Sequence, residues 1–321
     1  MNEILQTVSR IGIVPVIAID DAKKAVPLAK ALADGGLPAA EVTFRTAAAE
    51  DAIRAIAKEV PEMLLGAGTV LTTEQADRAM AAGATFIVAP GYDPNVTQHV
   101  IDKGGIMMPG TSTAGEMQQA MNQGCEIVKF FPAEANGGVA MLKNIGAALK
   151  TCKWMCTGGV NSKNVNDYLG YSQIVAVGGT WMCKKELIEG EKWDEITAIC
   201  KEAVKTMLGF SLKHVGINCG DADKAANVAK ALCAIFGLPY KPGNSSDFAG
   251  TVVECCKVKK PGAMGHIAIG ANDVDRAIYH LGRQGVKFLD TDKVVDAATG
   301  KTKAVYLADD FGGFAVHLVQ N

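Results

Sequence analysis

Lys129 stands in the middle of EIVKFFPAE (126–134), a run that otherwise reads as a buried strand. Lysine is seldom fully buried without a partner. Three other groups have the types to act with it: Glu41 and Arg45 in EVTFR, and Thr69 in GAGTV. A lysine in a partly apolar pocket has its ammonium form disfavoured, so the free amine becomes available. Such an amine attacks a ketone and forms a Schiff base. The iminium withdraws electrons and makes a C–C or C–H bond beside it breakable. A carboxylate such as Glu41 can shuttle the proton. Arg45 can fork onto a substrate carboxylate. The competing reading is that Lys129 and Glu41 form one buried ion pair. That would be weak evidence of stability, because desolvation offsets the attraction.

These residues need a frame that brings them together. Residues 1 to about 209 alternate short apolar runs with amphipathic ones. The apolar runs are IGIVPVIAI (11–19), AAEVTF (39–44), LLGAGTV (64–70), FIVAPG (86–91), IMMPGT (106–111), IVKFFP (127–132), KWMCTGG (153–159) and IVAVGGT (174–180). Each precedes a stretch of helical period, several with cap-like starts such as DD, TT, DP and ST. Eight strand–helix units favour a closed (β/α)8 TIM barrel over an open wound sheet. Strand periodicity puts Glu41, Thr43 and Arg45 on one face, and Val42 and Phe44 on the other. The apolar face packs on helices, so the charged face looks into the barrel. Lys129 shares its face with Ile127 and Phe131. Thr69, Pro90 and Thr111 end the third, fourth and fifth strands, at the end where such barrels carry their active sites.

Two glycine pairs extend the site. TGGV (157–160) follows strand seven and VGGT (177–180) follows strand eight. Small residues let backbone N–H groups approach an anion, and these two loops commonly build a barrel's phosphate site. The expected ligand has a carboxylate at one end, a phosphate at the other and a ketone between.

EVTFRT, GAGTV, APG, PGTST, VKFFPA, TGGV and VGGTW, in this order, resemble the 2-keto-3-deoxy-6-phosphogluconate (KDPG) / 4-hydroxy-2-oxoglutarate (KHG) aldolases. The resemblance covers residues 1 to about 207. It implies a class I aldolase, usually a homotrimer, that needs no cofactor. Such an enzyme releases pyruvate from a 4-hydroxy-2-keto acid, with glyceraldehyde 3-phosphate or glyoxylate as the other product. It further implies Lys129 as the Schiff-base lysine and Glu41 as the acid/base group. Arg45 and Thr69 match residues that hold the pyruvoyl carboxylate, and Pro90 and Phe131 match pocket walls. Thr157, Gly158, Gly159, Gly178, Gly179 and Thr180 fall at the phosphate loops. Many members read PTGG where this chain has Cys156-Thr157-Gly158-Gly159, and GGSW where it has Gly178-Gly179-Thr180-Trp181. Both departures touch the phosphate end. The barrel half has a single histidine, His99, read as a surface or helix-face residue, which argues against a metal-dependent route.

The last 110 or so residues repeat. HVGINCGDADKAANVA begins at His214 and HIAIGANDVDRAIYHL at His266; FAGTVVECCK (248–257) aligns with FGGFAVHLVQ (311–320). The second unit is about 11 residues longer, which KVVDAATGKTK accounts for as a loop. Each unit reads as a strand, a helix starting at an Asp-rich turn, then further strands. The segment 211–321 thus resembles the paired βαβββ modules of the vicinal oxygen chelate (glyoxalase-like) superfamily. The repeat matches His214 with His266 and Glu254 with His317. The resemblance implies a divalent metal there, and imidazoles plus a carboxylate suit Zn, Ni, Fe or Mn. That superfamily usually has a carboxylate where this chain has His317. The alternative is that these are strand residues inherited from a duplicated ancestor. Asp221, Asp223, Asp273 and Asp275 are read as helix caps. Residues 238–250 are read as a loop and 186–194 as a polar link. The domains expected are 1–209 and 211–321, joined by a short junction.

Composition excludes some functions. The 321 residues are 49% hydrophobic and 21% charged, with a net charge of −2. No bulk attraction to nucleic acid or an anionic membrane follows. No apolar run reaches the ~18 residues of a membrane span, and no secretory signal is expected at the N-terminus. Nine cysteines without CxxC spacing read as reduced thiols of a cytoplasmic protein. Two rival functions remain open at this level: a metalloenzyme acting through the C-terminal half, or a metabolite-sensing module that tunes the barrel.

Overall fold

The structure, a computed structural model, describes residues 1–321. It divides into two compact units, Met1–Met207 and Leu208–Asn321.

The first unit is a ring of parallel strands. They are β1 (Ile13–Ile17), β2 (Ala39–Thr43), β3 (Leu64–Gly68), β4 (Phe86–Val88), β5 (Met107–Met108 and Gly110–Thr111), β6 (Val128–Phe130), β7 (Trp154–Thr157) and β8 (Ile174–Gly179). Neighbours in sequence pair in parallel, and β1 also pairs with β8. β5 is split at Pro109, which has no N–H to give to a ladder. Its first half pairs with β4 and its second with β6, so the chain itself closes the ring through Pro109. Every β1 and β2 residue is buried, as strands covered on both sides require.

An unforeseen helix, Glu3–Ile11, precedes β1. Its Leu5 and Val8 pack with Val14, Phe86, Val88, Met108, Ile127 and Met155. Val14, Phe86, Ile127 and Met155 lie at or next to the N-terminal strand ends, so the floor of the barrel is apolar and the opposite mouth is left for chemistry. The helix starts behave as read. Asp21, Thr72, Asp93 and Thr113 accept bonds from backbone N–H groups at helix starts, and Thr113 forms a reciprocal capping box with Glu116. The stretch 186–194 is not a plain link: Lys185–Glu189 forms a short helix before the last one, Trp193–Leu208.

The second unit is one eight-stranded sheet. Its strands are β9 (Ser211–Asn218), β10 (Tyr240–Pro242), β11 (Ser246–Ala249), β12 (Val253–Cys256), β13 (Gly265–Ala271), β14 (Phe288–Val295), β15 (Thr302–Phe311) and β16 (Phe314–Gln320). Helices Ala222–Phe236 and Val274–Arg283 follow β9 and β13. The order is β10-β11-β12-β9-β13-β16-β15-β14. Each half is one βαβββ module, and the halves join where β9 meets β13 antiparallel. The repeat in sequence is therefore a repeat in topology.

Three readings are corrected here. Residues 238–250 hold a hairpin, with Tyr240 opposite Ala249. Their Gly, Pro and Ser residues mark its turn, and β11 pairs in turn with the next strand, β12. The extra residues of the second module lengthen a hairpin as well as its turn: β14 and β15 run to 8 and 10 residues, against 3 and 4 for β10 and β11. Of the four aspartates, Asp221 and Asp273 cap helices, whereas Asp275 accepts from the N–H and hydroxyl of Thr302. No helix is long and apolar enough to cross a membrane.

Candidate active site

Strand pairing brings Lys129 on β6 and Glu41 on β2 to one point inside the barrel. Lys129 Nζ donates to Glu41 Oε1 at 3.0 Å and Oε2 at 3.3 Å. The two residues are 4% and 0% exposed. A pair so buried persists only in contact, since each charge alone would keep its full desolvation penalty. The expectation of an amine with apolar neighbours is therefore corrected in part. A carboxylate touches the nitrogen, and the apolar company is the Phe131 ring, 5.3 Å away. This contact gives the ammonium proton somewhere to go.

Neighbours fix the pair. A Cβ on Gly68 would lie 2.2 Å from Glu41 Oε1, so only glycine leaves room for the carboxylate. Thr43 Oγ1 donates to the Ile17 carbonyl at 2.8 Å, and Thr111 Oγ1 to the Lys129 carbonyl at 3.0 Å. The spacing GAG held the signal for Gly68, but not its partner.

Arg45 is not an inward strand residue. β2 stops at Thr43, and Arg45 lies exposed in the turn beyond. Its Nε donates to Thr69 Oγ1 at 3.2 Å. Thr69 has φ 56°, a left-handed conformation that non-glycine residues seldom adopt and that concentrates at functional sites. Pro90 and Phe131, half-buried, follow β4 and β6.

Thr157, Gly158 and Gly159 leave the end of β7, with both glycines at positive φ (101° and 83°). Thr157 is buried, yet its Oγ1 has no partner. A Cβ on Gly178 would meet that hydroxyl at 2.3 Å, and one on Gly179 would strike the Trp181 ring. Thr180 is exposed just past β8. Glu134 reaches back to this loop and accepts a bond from the Tyr168 hydroxyl, a buried phenol that desolvation and Glu134 push far above its ordinary range. His99 lies on a helix face and contacts Asp77 at 2.9 Å.

In the second unit, the four residues matched by the repeat converge. His214 Nε2 lies 3.1 Å from His266 Nε2 and 3.1 Å from Glu254 Oε2. His266 Nε2 lies 3.0 Å from the same oxygen. Burial alone would raise the Glu254 carboxyl, but bonds from His214, His266 and Ser246 outweigh it and hold the group well below the carboxylate range. The His317 ring centroid is 5.1 Å from that of His266, and neither His317 nitrogen has a partner. Burial, then the His266 and His214 rings, lower His317 to about 4. Tyr306 stacks on His317 at 4.8 Å. A Cβ on Gly216 would occupy the His266 ring, so this glycine opens the cluster.

Known proteins locate the barrel among enzymes. A family model described as KDPG and KHG aldolase matches residues 4–199. A 2-dehydro-3-deoxy-phosphogluconate aldolase of Treponema pallidum is 40% identical over 64% of this chain and 98% of its own length. The KHG/KDPG aldolase of Escherichia coli K12 is 42% identical over 60% of this chain and 91% of its own. The solved KDPG aldolase of Legionella pneumophila, with pyruvate captured as a covalent carbinolamine, is 35% identical with a TM-score of 0.61. It covers 63% of this chain and 98% of its own. The barrel is thus that of a class I aldolase, a lyase. The chain belongs to the KDPG and KHG aldolase family.

Proposed function

We propose that the barrel cleaves 2-keto-3-deoxy-6-phosphogluconate, 4-hydroxy-2-oxoglutarate or both to pyruvate plus glyceraldehyde 3-phosphate or glyoxylate. The observation that carries this is the contact between Lys129 Nζ and Glu41 at 3.0 Å inside the barrel. The amine adds to C2 of the keto acid, and the resulting hydroxyl leaves as water with a proton carried by Glu41. Glu41 then takes the C4 hydroxyl proton. The C3–C4 bond breaks, its electrons pass to the iminium, and the aldehyde departs. The enamine gains a proton at C3, and water releases pyruvate and restores the amine. Arg45 and Thr69 hold the carboxylate beside C2. Pro90 and Phe131 wall the pocket. Thr157, Gly158, Gly159, Gly178, Gly179 and Thr180 receive the far anion, which the unpartnered Thr157 hydroxyl supports.

Borohydride with pyruvate tests this directly. Reduction should add one pyruvate-derived group to Lys129 by mass spectrometry. Lys129→Arg should show neither the adduct nor turnover, because a guanidinium stays protonated. An unlabelled wild-type protein would falsify the reading.

For the second unit, the same mode of inference supports a divalent-metal centre of His214, His266, His317 and Glu254 in a glyoxalase-like fold. The donor set fits. Metal–nitrogen bonds of about 2.0–2.1 Å place tetrahedral ligand atoms roughly 3.3 Å apart, close to the spacing of His214, His266 and Glu254. One of the unpartnered His317 nitrogens would supply the remaining ligand, the three imidazole ligand atoms lying within 4.8 Å of one another. A bound ion would supply Lewis acidity there. The resemblance carries over a homotrimer, which light scattering of the full chain tests. The free cysteines support a reducing, cytoplasmic setting.

A further inference from the structure

The three carbonyls leading out of β7 are all engaged. Thr157 O accepts from the Ala133 N–H at 2.8 Å, and Gly158 O from the Glu134 N–H at 3.0 Å. Gly159 O accepts from two side-chain amides, Asn161 Nδ2 at 3.0 Å and Asn164 Nδ2 at 3.2 Å. In a planar trans peptide the C=O and the following N–H point in opposite directions. The pinned carbonyls therefore aim the N–H groups of Gly158, Gly159 and Val160, and none of these three donates within the fold. The orphan Thr157 hydroxyl lies at the same strand end.

The two asparagines also fix each other. Asn164 Oδ1 accepts from the Asn161 N–H at 2.8 Å, and Asn161 Oδ1 accepts from the Lys163 N–H at 2.9 Å. With each amide oxygen held by a backbone donor, the NH2 end of each must face Gly159. A Gly-Gly pair is free to adopt many conformations and needs an outside restraint to hold one.

We propose that Asn161 and Asn164 are positioning residues that determine specificity for a phosphate-monoester end. They touch no substrate. They set the Gly159–Val160 peptide plane so that Val160 N–H joins those of Gly158 and Gly159 in facing the anion. This rests on the phosphate reading above.

The test compares KDPG with its unphosphorylated analogue, 2-keto-3-deoxygluconate, on the full chain. Asn161→Ala and Asn164→Ala should each raise KM for KDPG about tenfold, the weight of one charge-assisted bond. Their kcat should stay within about twofold, since the reacting atoms are untouched. KM for the unphosphorylated analogue and pyruvate trapping on Lys129 should not move. Asn164 also holds the Asn161 N–H at the start of a short helix, so if its variant does not fold, Asn161→Ala decides alone. Equal KM shifts for both substrates, or none for either, overturn the proposal. A wild-type enzyme that binds the two substrates equally overturns the phosphate reading and the proposal together. Absence of the pyruvate adduct overturns the aldolase reading separately.

Discussion

The barrel mouth and the histidine cluster both bury ionisable side chains, and they balance them in opposite ways. Lys129 and Glu41 satisfy each other. In the second unit one carboxylate serves two imidazoles and a serine. His266 Nδ1 and both His317 nitrogens are left with nothing. Buried polar groups without partners are rare in native proteins. The buried charges of the first site thus match each other, while the second holds more donor atoms than the protein can occupy. Where a fold leaves such atoms unmatched, a ligand from outside is the physical expectation. The proposed roles differ accordingly, a proton shuttle in one place and an added ion in the other.

Glu41→Gln tests that separation with the largest effect. It keeps the shape of the side chain but removes the group proposed to move protons, so kcat should fall by about 10²–10⁴. Steady-state pyruvate release, on protein shown to be folded by circular dichroism, measures this. Metal uptake by the second unit should be unaffected. A chelator should leave wild-type turnover intact; if turnover stops with EDTA, the division of labour between the two regions is wrong.

His317→Ala sharpens the other half. Wild-type chain freed of metal and titrated with Zn²⁺ should bind one ion and gain thermal stability, by roughly 2.7 kcal/mol at a hundredfold excess over Kd. Losing one imidazole should weaken that binding at least about tenfold and shrink the thermal gain with it. Equal binding by the variant would return His317 to the reading of a duplicated strand residue. Pyruvate release should not change in either case.

How much of this was legible in the sequence depended on the range of the interactions. The inward faces of β2 and β6 followed from the two-residue period, so Glu41 and Lys129 could be placed together before any contact was known. The pairing of His214 with His266 and Glu254 with His317 followed from the repeat, because duplicated modules put matched positions at matched places. The break in β5 did not follow, although Pro109 was visible: whether a proline splits a strand depends on which neighbour needs its N–H. Arg45 was placed on a strand that ends two residues earlier, at Thr43. The hairpin of β10 and β11 was hidden because its strands are only 3 and 4 residues long and its Gly, Pro and Ser turn residues dominate the stretch. Gly68 and Gly216 carry no local sign of the Glu41 carboxylate and His266 ring they make room for.

The smallest effect compares the two modules at a matched position. Asp221 and Asp273 each cap the helix after the first strand, accepting from Lys224 N–H at 2.8 Å and Arg276 N–H at 3.0 Å. Their surroundings differ. Asp221 sits at the surface, whereas the Asp273 side chain is 14% exposed and also meets Lys301 at 3.2 Å. Burial alone would raise the Asp273 carboxyl; the Arg276 charge, the cap bond and Lys301 outweigh it and hold it below its ordinary value. Asp273→Ala should therefore cost about 1–2 kcal/mol, the upper part of the range for a lost cap. Thermal unfolding of the full chain should show it, and Asp221→Ala should shift the same transition less. The pH dependence has a fixed sign. With the folded group the stronger acid, the unfolded chain takes up its proton first, so the stabilisation present at neutral pH fades as pH falls below about 4. The gap between wild type and Asp273→Ala should narrow there. A gap that widens on acidification would mean that burial, not the cations around it, governs this carboxyl.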